Sequence, residues 1–230
     1  MNQKALEHKP AIVPGMAYPD YTRGERIADG VIHVLAIIAS LVAFSILFVF
    51  AITRLSVPMS IALIVYGISV MALFCFSAAY HMTPWPGARP LLRRLDQAAI
   101  FVKIGGSYTP IVLLIDTLFG YVILTMVWVA ALVGAGGKIV FGRLFEGYSV
   151  PLYLGLGWAS LLLLWPMFAT VPFIDAWLVI AGGVAYSVGV IFHQWDGLKY
   201  QNAVWHGFVF IASACHFAAI THAAFVLGRA

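Results

Sequence analysis

Charge is what this chain lacks. Asp, Glu, Lys and Arg together make up 10% of its 230 residues, where an ordinary soluble domain carries about 25%. Hydrophobic residues reach 63%, a share that no water-facing surface could accommodate, so a soluble globular fold is excluded. The net charge of +4 does not make the chain a nucleic-acid binder, because that needs a basic patch set beside a polar surface. Cysteine is scarce too. Cys75 and Cys215 both lie inside apolar runs, which argues against a disulfide framework and against a four-cysteine zinc site. No internal repeat is visible either, and this counts against inverted-repeat transporters.

What the sequence has is long apolar runs. Stretches free of charge fall at 30–53, 55–88 with the helix ending near His81, 97–115 interrupted by Lys103, 117–137, 147–174, 176–195 and 200–228. A helix needs about 20 apolar residues to cross a bilayer, so these runs predict an all-α bundle of seven transmembrane helices occupying residues 27–228. The runs are continuously apolar rather than alternating, which excludes a β-barrel. Pro58, Pro84, Pro86, Pro90, Gly120, Gly142, Gly147, Pro172 and Gly197 read as breakers between spans. Gly105, Gly106, Gly134, Gly182 and Gly189 read as sites of close helix packing. Residues 1–26 form a polar tail broken by Pro10, Pro14 and Pro19, loosely ordered and ending in at most an interfacial helix near 23–29. It is not a signal peptide, since no apolar core follows a short basic stretch.

Orientation follows from the cations. Lys4, Lys9, Arg23, Arg26, Arg89, Arg93, Arg94, Lys138, Arg143 and Lys199 fall on one set of alternate segments, and only Arg54 and Arg229 on the other. Positive residues collect on the cytoplasmic side, so the N-terminus is expected inside and the C-terminus outside.

Ionisable residues within a membrane are costly and mark sites. The topology brings His33, Ser77, His81, Asp96, His193 and His206 to one level on the cytoplasmic side, with Ser77 and His81 four residues apart on one helix face. Several imidazoles and a carboxylate from separate helices suit a tetrahedral zinc with an open water position. Histidines hydrogen-bonded at the interface are the alternative. Lys103 lies seven residues past Asp96, about 10 Å deeper, and either snorkels or lines a polar cavity. His216 and His222 read as packed, hydrogen-bonded histidines, and Trp85, Trp195 and Trp205 as interface anchors.

The stretches Ser77-Ala-Ala-Tyr-His81, Leu95-Asp96 leading to Gly106-Ser-Tyr-Thr-Pro110, Ala185-Tyr-Ser-Val-Gly189, Asn202-Ala-Val-Trp-His206 and Cys215-His216-Phe217 resemble the hemolysin III family. That family stands with the progestin and adipoQ receptors and, more distantly, the alkaline ceramidases. The resemblance runs over about residues 23–227. It implies a seven-helix bundle with a cytoplasmic N-terminus and a cytoplasm-facing zinc site. His81 and His206 would be ligands, and Ser77 and Asp96 would hold or activate the water, with Asp96 also a ligand candidate. The chemistry implied is hydrolysis of an amide or ester bond in a membrane lipid, in the bacterial inner membrane. A pore-forming hemolysin and a non-enzymatic regulator of membrane state are the rival classes. The sequence departs from the family at Asn202, where relatives carry the first histidine of H-x-x-x-H. A neutral amide is a poor zinc ligand, leaving a weakened site, a site rescued by Asp96 or His193, or none.

Overall fold

The computed structural model describes residues 21–142, 148–195 and 197–227. Seven membrane-length apolar helical segments are present among them. They are α1 (Arg23–Arg54), α2 (Val57–Met82), α3 (Arg89–Ile115), α4 (Leu118–Phe141), a fifth span composed of α5 (Ser149–Trp158), a 3-10 segment (Ala159–Leu163) and α6 (Leu164–Thr170), then α7 (Phe173–His193) and α8 (Gln201–Leu227). No strand occurs among the described residues.

The spans begin and end where local chemistry allows. Helix α1 starts at Arg23 instead of residue 30 because Thr22 and Glu25 form a capping box: Thr22 Oγ1 accepts from the Glu25 amide (3.3 Å), and Glu25 Oε2 accepts from the Thr22 amide (2.9 Å). This satisfies two N–H groups that a helix start otherwise leaves open. Residues 23–29 are therefore the first turns of the transmembrane helix and not a separate interfacial one. Residues 1–20 of the expected tail lie outside the described residues. Helix α3 likewise begins at Arg89, two turns ahead of the apolar run, with Pro90 in its first turn. Pro58 also sits in a first turn, of α2. Proline is tolerated there because its missing N–H would have had no helical partner. Gly120 is not a breaker but lies in the first turn of α4, where its amide donates to the Thr117 hydroxyl at 3.1 Å.

The spans alternate in direction, so one end of the bundle, here the near end, carries the start of α1, the end of α2 and the starts of α3 and α8. Around the bundle α2 packs between α1 and α3, α8 between α1 and α7, and the fifth span closes the ring between α3 and α7; α4 lies outside against α3. Gly106 meets Ser69 so closely that a Cβ would collide with it, which lets α2 and α3 approach. The 3-10 break in the fifth span frees backbone acceptors, and the Tyr108 hydroxyl from α3 lies 2.9 Å from Leu156 O and 3.1 Å from Gly157 O. The ring encloses a cavity of about 540 Å³, within the usual range of small-molecule sites, roughly 300–1,000 Å³.

Candidate functional site

Three helices each bring a polar pair spaced i, i+4 to the near end: Asp29 and His33 on α1, Ser77 and His81 on α2, Asn202 and His206 on α8. That spacing puts both members of a pair on one helix face, one turn apart. On α1 the same face continues through Ala36, Ser40, Leu47 and Ala51, all buried. Because α2 runs opposite to α1 and α8, the pairs form two layers. Asp29, His81 and Asn202 are shallower; His33, Ser77 and His206 are one turn deeper.

The contacts close both layers. In the shallow one, Asn202 Nδ2 donates to His81 Nδ1 at 3.3 Å and to the Tyr21 hydroxyl at 2.9 Å. His81 Nδ1 lies 3.9 Å from Asp29 Oδ2. Burial pushes the Tyr21 phenol above its ordinary pKa, so it remains a neutral hydroxyl beside the amide. In the deep layer, the His33 and His206 rings lie 4.3 Å apart by centroid, and Ser77 Oγ is 3.3 Å from His206 Nε2. Between layers, His206 Nδ1 donates to Asp29 Oδ1 at 2.6 Å. An ionised carboxylate can only accept, so Nδ1 carries the proton and Nε2 is the acceptor for the Ser77 hydroxyl. His81 and His206 meet edge-on with centroids 4.5 Å apart. Arg89, buried beneath the end of α2, donates from Nη1 to the carbonyls of Tyr80 (3.1 Å) and Thr83 (3.0 Å). It thereby satisfies acceptors at the helix end that carries His81.

The donor set can be tested against a metal. Ligand atoms of Asp29, His33 and His206 all lie within 4.8 Å of one another, with His81 alongside. Imidazole and carboxylate are ordinary zinc ligands. His33 Nε2 is buried with no hydrogen-bond partner, and a buried imidazole nitrogen without a partner is costly. A cation accepted there would remove that cost, so the residues fit. The short Asp29–His206 contact is a hydrogen bond, the way an outer carboxylate orients a ligating imidazole through its other nitrogen.

Of the residues singled out in the sequence, Ser77, His81 and His206 come together, with His33 beside them. Asp96 lines the cavity next to them, close to Ser77 and Arg93, but is not in the close group of ligand atoms. His193 is exposed and leans on the Trp205 ring with centroids 4.9 Å apart; it too stands outside that group. Asn202 presents its amide nitrogen to His81 and acts as a hydrogen-bond donor. Asp29 is the residue the sequence reading missed. Its signal was available, since Asp29-x-x-x-His33 repeats the four-residue spacing of the other two pairs.

Deeper in the cavity lies a second polar group. Lys103 Nζ is 3.3 Å from His216 Nδ1 and 4.4 Å from the Tyr186 ring centroid. His216 Nε2 is 3.2 Å from Val179 O, and the Tyr186 and Ser213 hydroxyls are 2.7 Å apart. Gly182 makes room for it, since a Cβ there would run into the His216 ring. At the far end Asp175 pairs with His222 at 2.9 Å.

Residues 25–217 match the haemolysin-III related family. The chain is 34% identical to Hemolysin-3 of Bacillus cereus over 194 residues, covering 84% of this chain and 89% of that protein. It is 33% identical to the Hemolysin-3 homolog of Bacillus subtilis (strain 168) over 199 residues, covering 86% and 93%. To the human monocyte to macrophage differentiation factor it is 31% identical over 166 residues, covering 68% and 67%. With a bundle of seven membrane-length helices matched along most of its length, the chain belongs to the haemolysin-III related family of integral membrane proteins.

Proposed function

We propose that this protein is a zinc-dependent hydrolase of an amide or ester bond in a membrane lipid, its near end facing the cytoplasm of a bacterial inner membrane. The observation that carries the reading is the convergence of Asp29, His33, His81 and His206 at one end of a largely apolar cavity with Asp96 and Ser77 on its wall. The excess of Lys and Arg on near-end segments supports the orientation.

His33, His81 and His206 would hold the ion, with Asp29 as ligand or as orienting partner of His206. When bound, zinc supplies polarisation of a carbonyl and lowers the pKa of water. The remaining work falls to the chain. The apolar wall holds the acyl chain and keeps bulk water from the reacting carbonyl. Asp96 accepts the proton of the attacking water and returns it to the leaving nitrogen or oxygen as the carbonyl–heteroatom bond breaks, a role worth about 10²–10⁴-fold in rate. With His206 Nε2 engaged as a ligand, the Ser77 hydroxyl would be free to donate toward the carbonyl oxygen as negative charge develops there. The products are a fatty acid and an amine or alcohol.

The test is elemental analysis of the purified protein beside hydrolysis of a ceramide-like amide and the matching ester in liposomes. About one zinc per chain, with fatty acid release abolished by chelation, is the expected outcome. Asp96→Asn is expected to keep the zinc and lose turnover by about 10²-fold or more. A zinc-loaded protein that releases fatty acid from neither lipid would overturn the enzymatic reading and favour a regulator.

A further inference from the structure

We propose that Lys103, His216 and Tyr186 form a second subsite in the cavity, one that takes the carboxylate of a single-chain anionic amphiphile. The inference does not depend on whether the near-end cluster holds a metal or hydrolyses anything.

Lys103 is buried at 4% exposure in the middle of a membrane helix, where a charge needs a partner. Its ammonium has three protons. One is directed at His216 Nδ1 and a second lies against the Tyr186 ring. The histidine adds no negative charge: its Nε2 faces the Val179 carbonyl and must carry the proton, so the ring is neutral and Nδ1 is an acceptor. Lys103 makes no ion pair among the described residues, and every described carboxylate is engaged elsewhere. Glu25 caps α1, Asp29 holds His206, Asp96 neighbours Ser77 and Arg93, Asp116 accepts from Tyr121, and Asp175 holds His222. The third ammonium proton, and the charge beyond what the Tyr186 ring meets, find no carboxylate among the described residues and are available to a bound anion.

The cavity says what that is. Lys103 lines it, and Ile104, Ile111, Leu163, Met167 and Val179 form apolar wall around it, which suits a hydrocarbon chain. A single cation balances a single negative charge, which matches a carboxylate better than a phosphate dianion. Lys103 is seven residues beyond Asp96 on the same helix, about 10 Å deeper, so an anion held by it does not sit among the near-end histidines.

The experiment compares oleate with oleyl alcohol, which has the same chain and no charge, for binding to the full-length protein in nanodiscs, with empty nanodiscs subtracted. Oleate is expected to bind at least about tenfold tighter, as a charge-assisted contact in a desolvated site should give. Lys103→Met should bring the two ligands level and Lys103→Arg should restore most of the preference; thermal unfolding of each variant establishes that it is folded. Chelator and His81→Ala should leave the preference unchanged. Equal binding of the two ligands by the wild-type protein would overturn the proposal without any variant being needed. So would a preference that survives Lys103→Met, or one that disappears with chelator and thus belongs to the near-end cluster. Hexadecyl phosphate binding tighter than oleate would overturn the assignment to a carboxylate.

Discussion

Two aspartate–histidine pairs stand at opposite ends of this bundle. At the near end His206 and Asp29 are 2.6 Å apart and both side chains are shielded, at 6% and 7% exposure. At the far end His222 and Asp175 are 2.9 Å apart, but the imidazole is 52% exposed. Asp175 is buried in the first turn of α7, where the positive end of the helix dipole favours a carboxylate. That pair is complete in itself. Asp29 instead has two further imidazoles within 4 Å, and its partner turns the other ring nitrogen toward Ser77 and the cavity. The pair alone does not make a site in a membrane. The surplus of ligand atoms around one pair, and their access to an enclosed space, separates the two ends.

Mutations can widen or erase that contrast. The largest effect is expected from His206→Ala, which takes from buried Asp29 its short hydrogen bond and leaves only the longer contacts to His33 and His81. Breaking a buried pair by removing one partner costs about 3–5 kcal/mol, so a large fall in unfolding temperature in detergent should accompany complete loss of zinc. Asp29→Asn keeps an acceptor for His206 Nδ1 but removes the charge. It should weaken zinc binding about 10–100-fold, as loss of an orienting carboxylate does, at a stability cost of about 1.5–3 kcal/mol. Retention of zinc through dialysis reads the first, and chemical unfolding the second.

Asn202→His sharpens the contrast from the other direction. It places a further imidazole where the amide now donates to His81, one turn from His206 on the same face. Zinc retention should rise at least about tenfold, the lower end of what a single ligand-level change contributes, and adding His81→Ala should abolish the gain. A wild-type protein that already holds one zinc as tightly as Asn202→His would mean that α1 fully replaces the missing ligand. The smallest effect belongs to His222→Ala. Asp175 is buried but its imidazole partner is 52% exposed, so water can take the place of the ring; the stability cost should stay near the low end of about 1–3 kcal/mol, and zinc content should not change. A loss of zinc from this variant would show that the far end is coupled to the site.

The membrane architecture was legible in the sequence because a hydrocarbon environment imposes one rule on every span, and apolar runs of sufficient length answer it directly. Boundaries were less legible wherever a helix continued past its apolar run. The capping box of Thr22 and Glu25 carried α1 back to Arg23, and Arg89 to Leu95 wound into α3 although charged. The break at 159–163 had no proline or glycine of its own to announce it. At the site, depth alone grouped Ser77, His81, Asp96 and His206 with His33 and His193. Depth carries no angular information, so it could not separate His193, which faces Trp205, from His33, which faces His206. Asp29 lies ahead of the apolar run among charged residues, where membrane depth does not single it out, although its spacing to His33 matches that of the other two pairs.

The hydrogen bond between Asp29 and His206 spans 177 residues of sequence, and this sets a timetable for biogenesis. The first helix is made long before the last, and at about 5–20 residues per second its carboxylate waits on the order of ten seconds or more for the histidine that completes it. During that interval Asp29 has only the longer contacts to His33 and His81, and its short hydrogen bond waits for the last helix. Site assembly is thus the closing event of insertion. A chain that stalls or is cut before α8 arrives lacks the hydrogen bond that Asp29 makes in the finished protein.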